Sequence, residues 1–209
     1  MKFDQLLMAI ADEPVFETGL LLAGDVGPLD VRRQLSRWVK SGRLLQLRRG
    51  LYALAPPYQK IKPHPFLIAN RLVPGSYVSL QTALSYHGLI PEGVTTVTSI
   101  ATGRSAVYET PLGRYEYHHI KPAFLQGFRM TGLGNGQEAL IAVPEKAILD
   151  LAHLTPGGDN PAYLRELRLQ GLEQLCAEEL RCYATSPKLR RVAEILLFIR
   201  DNSEEYREL

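Results

Sequence analysis

The sequence predicts an α+β protein in which a small basic helical unit precedes a larger unit that alternates strand and helix signals. Residues 28–54 read as a helix, a turn and a two-stranded hairpin. A proline-rich stretch, PYQKIKPH, follows at 57–64 and interrupts regular structure. From residue 65 onwards, runs of β-branched residues alternate with amphipathic helical segments.

These observations divide the chain into three parts. We predict a helical unit with a hairpin at 1–56, a linker with few packing contacts at 57–64, and a mixed α/β unit at 65–209. The last unit is expected to contain a mainly antiparallel sheet and a helical C-terminus. Each half is expected to have its own hydrophobic core, because domain boundaries fall in such linkers.

The helix that begins at Pro28 is predicted by the spacing of its apolar side chains. Val31, Leu35, Trp38 and Val39 fall at i, i+4, i+7 and i+8, so they form one stripe that can be buried. Asp30 suits the positive end of the helix dipole, and Ser41-Gly42 can close the helix. Phe3, Leu6, Leu7 and Ile10 mark a first amphipathic helix that ends by Pro14. With a short second helix at Thr18–Ala23, it completes a predicted three-helix bundle.

Positive charge is concentrated on this helix and on the hairpin that follows it. Residues 25–62 contain nine basic and two acidic residues, a net charge of +7, whereas the whole chain carries only +2. Such a concentration is typical of proteins that bind the phosphate backbone. A basic helix followed by a basic hairpin predicts a winged helix-turn-helix, which inserts its exposed helix in the major groove. The predicted DNA-binding residues are Arg32, Arg33, Ser36, Arg37, Lys40, Arg43, Arg48 and Arg49.

The composition argues against several other classes of protein. No apolar run approaches the ~20 residues that span a bilayer, and early acidic residues do not suit a secretion signal, so we expect a cytoplasmic protein. Cys176 and Cys182 lack a CxxC pattern or nearby histidines, so neither a disulfide nor a zinc site is expected. We predict no cofactor.

The second unit is predicted element by element. The strands are expected at 77–79, 94–101, 106–109, 114–120, 128–131 and 138–143. The helices are expected at 66–72, 80–87, 144–154, 161–169, 172–184 and 187–202. Asn135-Gly136 predicts a tight hairpin turn.

Five segments, taken in order, resemble the AbiEi antitoxins of type IV toxin-antitoxin systems. These segments are RRGLYALAP, YVSLQTALSYHGLI, VTTVTSIATGR, YEYHHI and IAVPEKAILDL. The resemblance implies an N-terminal winged helix that represses its own operon and a C-terminal domain that counteracts a nucleotidyltransferase-type toxin. It therefore implies operator DNA and the toxin as partners, and no enzymatic activity. Because one chain would cover only a half-site, the operator is expected to contain inverted repeats.

The IAVPEKAILDL segment also allows a second interpretation. Glu145, Lys146 and Asp150 are the residue types that metal-dependent nucleases use, so a winged-helix-targeted nuclease or other metal-dependent enzyme remains the alternative. The i, i+4 spacing of Lys146 and Asp150 predicts an ion pair on the protein surface, worth only ~0.3–0.5 kcal/mol. Two roles are open for these residues: contact with the toxin on an antitoxin surface, or maintenance of the fold.

Overall fold

The computed structural model describes residues 2–21 and 27–202, which form a mixed α+β protein. In the N-terminal region (residues 2–21 and 27–56) the elements are α1 (Phe3–Ile10), β1 (Phe16–Glu17), α2 (Thr18–Leu21), α3 (Pro28–Lys40), β2 (Leu44–Arg48) and β3 (Leu51–Leu54). The predicted end of the second helix, at Ala23, lies outside the described residues.

The C-terminal region (residues 65–202) contains the remaining elements. Its helices are α4 (Pro65–Leu72), α5 (Leu80–Tyr86), α6 (Pro144–Leu154), α7 (Pro161–Glu166), α8 (Ala177–Tyr183) and α9 (Pro187–Asp201). Its strands are β4 (Tyr77–Val78), β5 (Val97–Ala101), β6 (Ala106–Thr110), β7 (Gly113–His119), β8 (Phe128–Gly134) and β9 (Gln137–Ala142).

Helix α3 has the boundaries and the buried stripe that its sequence predicts. Pro28 occupies the start of the helix, where its missing N–H costs nothing, and Gly42 follows the C-cap Ser41 with φ +69°. Val31, Leu35 and Trp38 are buried in a cluster with residues of α1, including Leu6. Strands β2 and β3 then form an antiparallel hairpin whose turn contains Gly50 at φ +87°. Because β1 pairs with the other side of β3, the sheet order is β1-β3-β2.

Strand β3 is buried on both faces, and each face packs against a different part of the protein. Tyr52 and Leu54 belong to the cluster that includes α1 and α3. Leu51 and Ala53 belong instead to the hydrophobic core of the C-terminal region, together with Leu47 of β2. Since successive strand residues point to opposite faces, this alternation places the small sheet between the helices and the C-terminal region. The two regions therefore share apolar contacts.

The proline-rich stretch 57–64 is held against both regions. The Tyr58 ring packs edge-on against Phe3, with ring centroids 4.9 Å apart. The Gln137 side chain of β9 accepts a hydrogen bond from the His64 backbone N–H (2.7 Å) and donates one to the Lys62 carbonyl (3.1 Å). The stretch therefore contacts both regions at a few points, while Pro57, Tyr58, Lys60 and Lys62 remain exposed.

The C-terminal sheet has six strands in the order β6-β7-β5-β4-β9-β8. The β6–β7, β4–β5 and β8–β9 pairs are antiparallel, whereas β5–β7 and β4–β9 are parallel. The sheet is thus mixed, with a small antiparallel majority. Asn135 (φ +50°) and Gly136 (φ +71°) form the predicted tight turn between β8 and β9.

Helix α6 lies at the centre of this region and packs against α5, α8 and α9. Its predicted boundaries, 144 and 154, agree with the structure. The predicted helix at 172–184 is divided into a 3₁₀ turn, Leu172–Gln174, and α8. The Cys176 backbone N–H lies between these pieces and donates to the Glu145 carboxylate at 2.6 Å, which fixes the break in the helix against the start of α6.

Candidate nucleic-acid interface

The face of α3 opposite its buried stripe is exposed and basic. The exposed residues are Arg32, Arg33, Ser36, Arg37 and Lys40. Helical spacing places them side by side, because residues three and four apart are neighbours on a helix surface. Five of the eight predicted DNA-binding residues therefore share one accessible face.

Most of the positive charge on this face is free of ion pairs with described residues. The exception is Arg33, which lies 3.7 Å from the Asp30 carboxylate, and both side chains are more than 70% exposed. Such an exposed pair is worth about 0–1 kcal/mol and can be exchanged for a phosphate contact at little cost. The face therefore keeps its positive charge for an external anion.

An apolar residue on the same face was missed by the sequence analysis. Leu29 is 66% exposed at the start of α3, three residues before Arg32. The signal was present in the sequence, because Leu29 lies outside the Val31-Leu35-Trp38 stripe and shares the spacing of the basic residues. The face thus combines cationic groups with one accessible leucine.

Arg43 follows α3 and remains exposed. Its guanidinium carbon lies 5.0 Å from the centroid of the Phe3 ring, within the range of a cation–π contact. This contact holds the Arg43 stem against α1 without neutralising its charge, so Arg43 extends the basic surface beyond the end of α3.

Arg48 and Arg49 are adjacent in the β2–β3 hairpin, but their surroundings differ. Arg49 is exposed, as predicted. The Arg48 guanidinium donates to the carbonyls of Arg49 (3.1 Å) and Arg71 (3.3 Å), and it lies 3.6 Å from the Glu17 carboxylate. Arg48, which we predict to be a DNA-binding residue, is thus only partly exposed and connects β2 with β1 and α4. The Arg48 side chain thus connects the N-terminal region with the C-terminal region.

Replacing these two arginines should therefore have different effects. We expect Arg48→Ala to lower the free energy of unfolding by about 1–3 kcal/mol, because backbone carbonyls lose a charged donor. Arg49→Ala removes an exposed charge and should leave stability within about 0.5 kcal/mol of the original protein. Urea denaturation of both variants provides the measurement. Equal losses of stability would contradict the structural assignment of Arg48.

The structure places Glu145, Lys146 and Asp150 in the interior of the protein. Their exposures are 3%, 2% and 0%. The Lys146 ammonium pairs with one Asp150 oxygen, and the hydroxyls of Tyr77 and Ser79 both donate to the other at 2.8 Å. We call these four residues (Tyr77, Ser79, Lys146 and Asp150) the Asp150 cluster. The predicted surface ion pair is wrong, because residues distant in sequence cover the start of α6, and none of the three residues forms an accessible antitoxin surface.

Burial controls the electrostatics of the Asp150 cluster. Burial raises the pKa of the Asp150 carboxyl, while the Lys146 ammonium and the two hydroxyl donors act in the opposite direction. Burial and the adjacent carboxylate also raise the pKa of Tyr77, which keeps its hydroxyl protonated as a donor. Gly127 (φ +71°) packs so closely that a Cβ there would lie 2.9 Å from the Lys146 Cβ. Neighbouring residues such as Gly127 thus pack directly against the Asp150 cluster.

A separate cleft of the C-terminal region carries acidic residues. It has a volume of about 520 Å³, and its lining includes Glu92, Glu116 and Glu166. The Arg114 guanidinium donates two hydrogen bonds to Glu116, at 2.9 and 2.7 Å. Across residues 2–21 and 27–202, no group of three or more His, Cys, Asp or Glu side chains is placed to hold a metal ion.

None of the helices in the described part is both long and apolar enough to cross a membrane. The chain matches no protein-family model, and a search of curated proteins also found no match.

Proposed function

We propose that the N-terminal region is a winged helix-turn-helix DNA-binding domain and that the protein is a transcriptional repressor. The observation that carries this proposal is the exposed basic face of α3, which lies directly opposite a buried apolar stripe. The order of elements, with three helices and a sheet ordered β1-β3-β2, supports it. The ligand is double-stranded operator DNA containing inverted repeats.

The contacts of α3 divide into two kinds. Arg32, Arg33 and Arg37 enter the major groove, where arginine recognises guanine edges, and Leu29 meets a thymine methyl group. Arg43 at one end of the face and Arg49 on the hairpin contact backbone phosphates, which position the helix without reading sequence. Arg48 takes no part in DNA binding under this proposal, because its guanidinium already joins the two regions.

DNA binding should depend steeply on salt. The exposed basic residues of this surface are Arg32, Arg33, Arg37, Lys40, Arg43 and Arg49. If together they neutralise the charge of five or six phosphates, the slope of log K against log salt is expected to be about −4.5 to −5.5 per bound chain. Fluorescence anisotropy with a fragment from upstream of the gene gives this slope directly. Arg37→Ala should weaken DNA binding. Arg181 is an exposed arginine of α8, so Arg181→Ala serves as the control and should leave DNA binding unchanged. Binding that is unchanged between low and high salt would refute the proposal.

The second half of the proposal is an antitoxin role for the C-terminal region. The likeness of five segments to AbiEi antitoxins supports this role, with a nucleotidyltransferase-type toxin as the functional antagonist. We propose that the protein has no enzymatic activity of its own. If a toxin gene of that type lies beside this one, co-expression of the full chain should restore growth. Growth arrest that persists with folded protein present would eliminate the antitoxin role.

A further inference from the structure

Helix α9 has apolar residues on two of its faces. Leu189, Val192, Ala193, Leu196 and Leu197 are buried and pack into the core of the C-terminal region. A second stripe, formed by Ile195, Phe198 and Ile199, adjoins that buried set. Ile195 and Ile199 are partly buried and pack against the same core, whereas Phe198 is 59% exposed. Phe198 is therefore the member of this stripe that the core of the C-terminal region leaves uncovered, although a surface helix normally presents polar residues to solvent.

The second stripe forms one wall of a groove. The groove has a volume of about 510 Å³, and its other wall is formed by Pro161 and Arg165 of α7. Arg191 and Glu194 lie at its edge. The same patch of surface therefore presents a protruding aromatic ring and a depression beside it. This combination is self-complementary across a two-fold axis, where one patch contacts an identical patch.

We propose that this groove is the contact between two copies of the chain, with α9 packed antiparallel against α9 of the partner subunit. Phe198 of each chain then enters the groove of the other. The charges along α9 favour this arrangement over a parallel one. Arg191 near the start of α9 and Asp201 at its end are both more than 60% exposed and opposite in sign. An antiparallel pair brings Arg191 beside Asp201 of the partner subunit.

The ion pairs within one chain leave these charges available. Arg191 lies 3.7 Å from Asp159, and Asp201 accepts from its neighbour Arg200 at 2.8 Å. Arg191 and Asp201 are largely exposed, and exposed ion pairs contribute little to stability, so exchanging them for pairs between chains costs little. One helix pair makes a small interface, which places the association among weak and transient contacts. The proposal does not depend on DNA binding, although two joined α3 helices would suit an inverted repeat.

Sedimentation equilibrium of the full chain without DNA tests this contact. We expect a concentration-dependent monomer–dimer equilibrium. Phe198→Asp should weaken association by about 10-fold or more, because a charge replaces a central aromatic anchor. Met130→Asp on β8 is the matched control, since Met130 is also 59% exposed but lines a different cleft of the protein. A wild-type chain that stays monomeric over the full concentration range, or equal weakening by both variants, would overturn the proposal.

A charge exchange provides a second test that leaves the apolar stripe unchanged. Arg191→Glu and Asp201→Arg should each weaken association by placing like charges together across the interface. The double variant should recover most of the loss, because the pair is then restored with reversed signs. Arg191→Glu also breaks the contact with Asp159, but Asp201→Arg cannot repair that contact, so recovery identifies the pair between chains. A double variant no better than the single ones would exclude the antiparallel arrangement.

Discussion

Replacing Lys146 with methionine is expected to lower the free energy of unfolding by about 3–5 kcal/mol. Methionine retains much of the side-chain volume of lysine but leaves the Asp150 carboxylate without its cation at 0% exposure. Breaking one partner out of a buried pair costs far more than breaking an exposed pair, because the remaining charge cannot be hydrated. Urea denaturation at neutral pH measures the loss.

Arg33→Met is the matched control for this prediction. It breaks the exposed pair with Asp30, where both side chains are more than 70% exposed, and should cost less than about 1 kcal/mol. Adding Asp150→Asn to Lys146→Met should recover part of the loss, because asparagine is neutral and can still accept from Tyr77 and Ser79. Similar small losses for Lys146→Met and Arg33→Met would show that the Asp150 cluster is hydrated.

The loss in Lys146→Met should depend on pH. Burial raises the pKa of Asp150 above its ordinary value of 3.8, and removing Lys146 removes the largest effect that opposes this rise. The folded variant then binds a proton more readily than the unfolded chain, so its stability falls as pH rises above about 3.8. We expect the difference from the original protein to be smaller at pH 4 than at pH 7. A difference independent of pH would contradict this account.

A fragment that ends at residue 56 is expected to lose cooperative folding. Val15, Leu47 and Leu51 are covered by the C-terminal region, and removing that region returns them to water. Each large apolar side chain contributes about 1.5–3 kcal/mol on burial. Their combined contribution is comparable to the total stability of a typical small domain, 5–15 kcal/mol. Circular dichroism during thermal unfolding of the fragment, compared with the full chain, measures the effect.

The fragment experiment has a direct control. Leu47→Ala in the full chain should cost about 2–5 kcal/mol, because Leu47 is only 4% exposed. If the fragment unfolds in a single sharp transition and binds operator DNA like the full chain, the contact between the regions is dispensable. That result would agree with the sequence-based expectation that each half folds around its own core.

The sequence predicted α3 well because the signals that specify it are local. The 3.6-residue spacing of Val31, Leu35 and Trp38 identifies the buried stripe, and Pro28 and Gly42 define the ends. The hairpin turns at Gly50 and Asn135-Gly136 are equally local, since they require residues that accept positive φ. For such elements, a few neighbouring residues contain most of the information.

The burial of Lys146 and Asp150 could not be predicted in this way. Their i, i+4 spacing shows that they are neighbours on a helix, but it does not show what covers them. They are covered by Tyr77 and Ser79, which lie more than 70 residues before Asp150, and by Gly127 on the segment before β8. The contacts of Arg48 could not be predicted for the same reason, since its carbonyl partner on Arg71 lies 23 residues away.

Strand β3 was an intermediate case. The letters LYAL are apolar throughout, and a continuous apolar run indicates a strand that is buried on both faces. They do not identify what lies on each face. Only the three-dimensional structure assigns Tyr52 and Leu54 to the helices and Leu51 and Ala53 to the C-terminal region.

The burial of β3 on both faces also limits how such a protein can diverge. Every side chain of β3 packs into one of the two cores, so a substitution at any position of the strand disturbs a core. The exposed residues of α3, such as Leu29 and Arg37, belong to neither core, so they can be substituted without disturbing the fold. Under the proposed function, descendants of this gene can acquire new operator sequences through α3 alone. Exchange of the whole first region by recombination would succeed only with a donor whose sheet matches the C-terminal region.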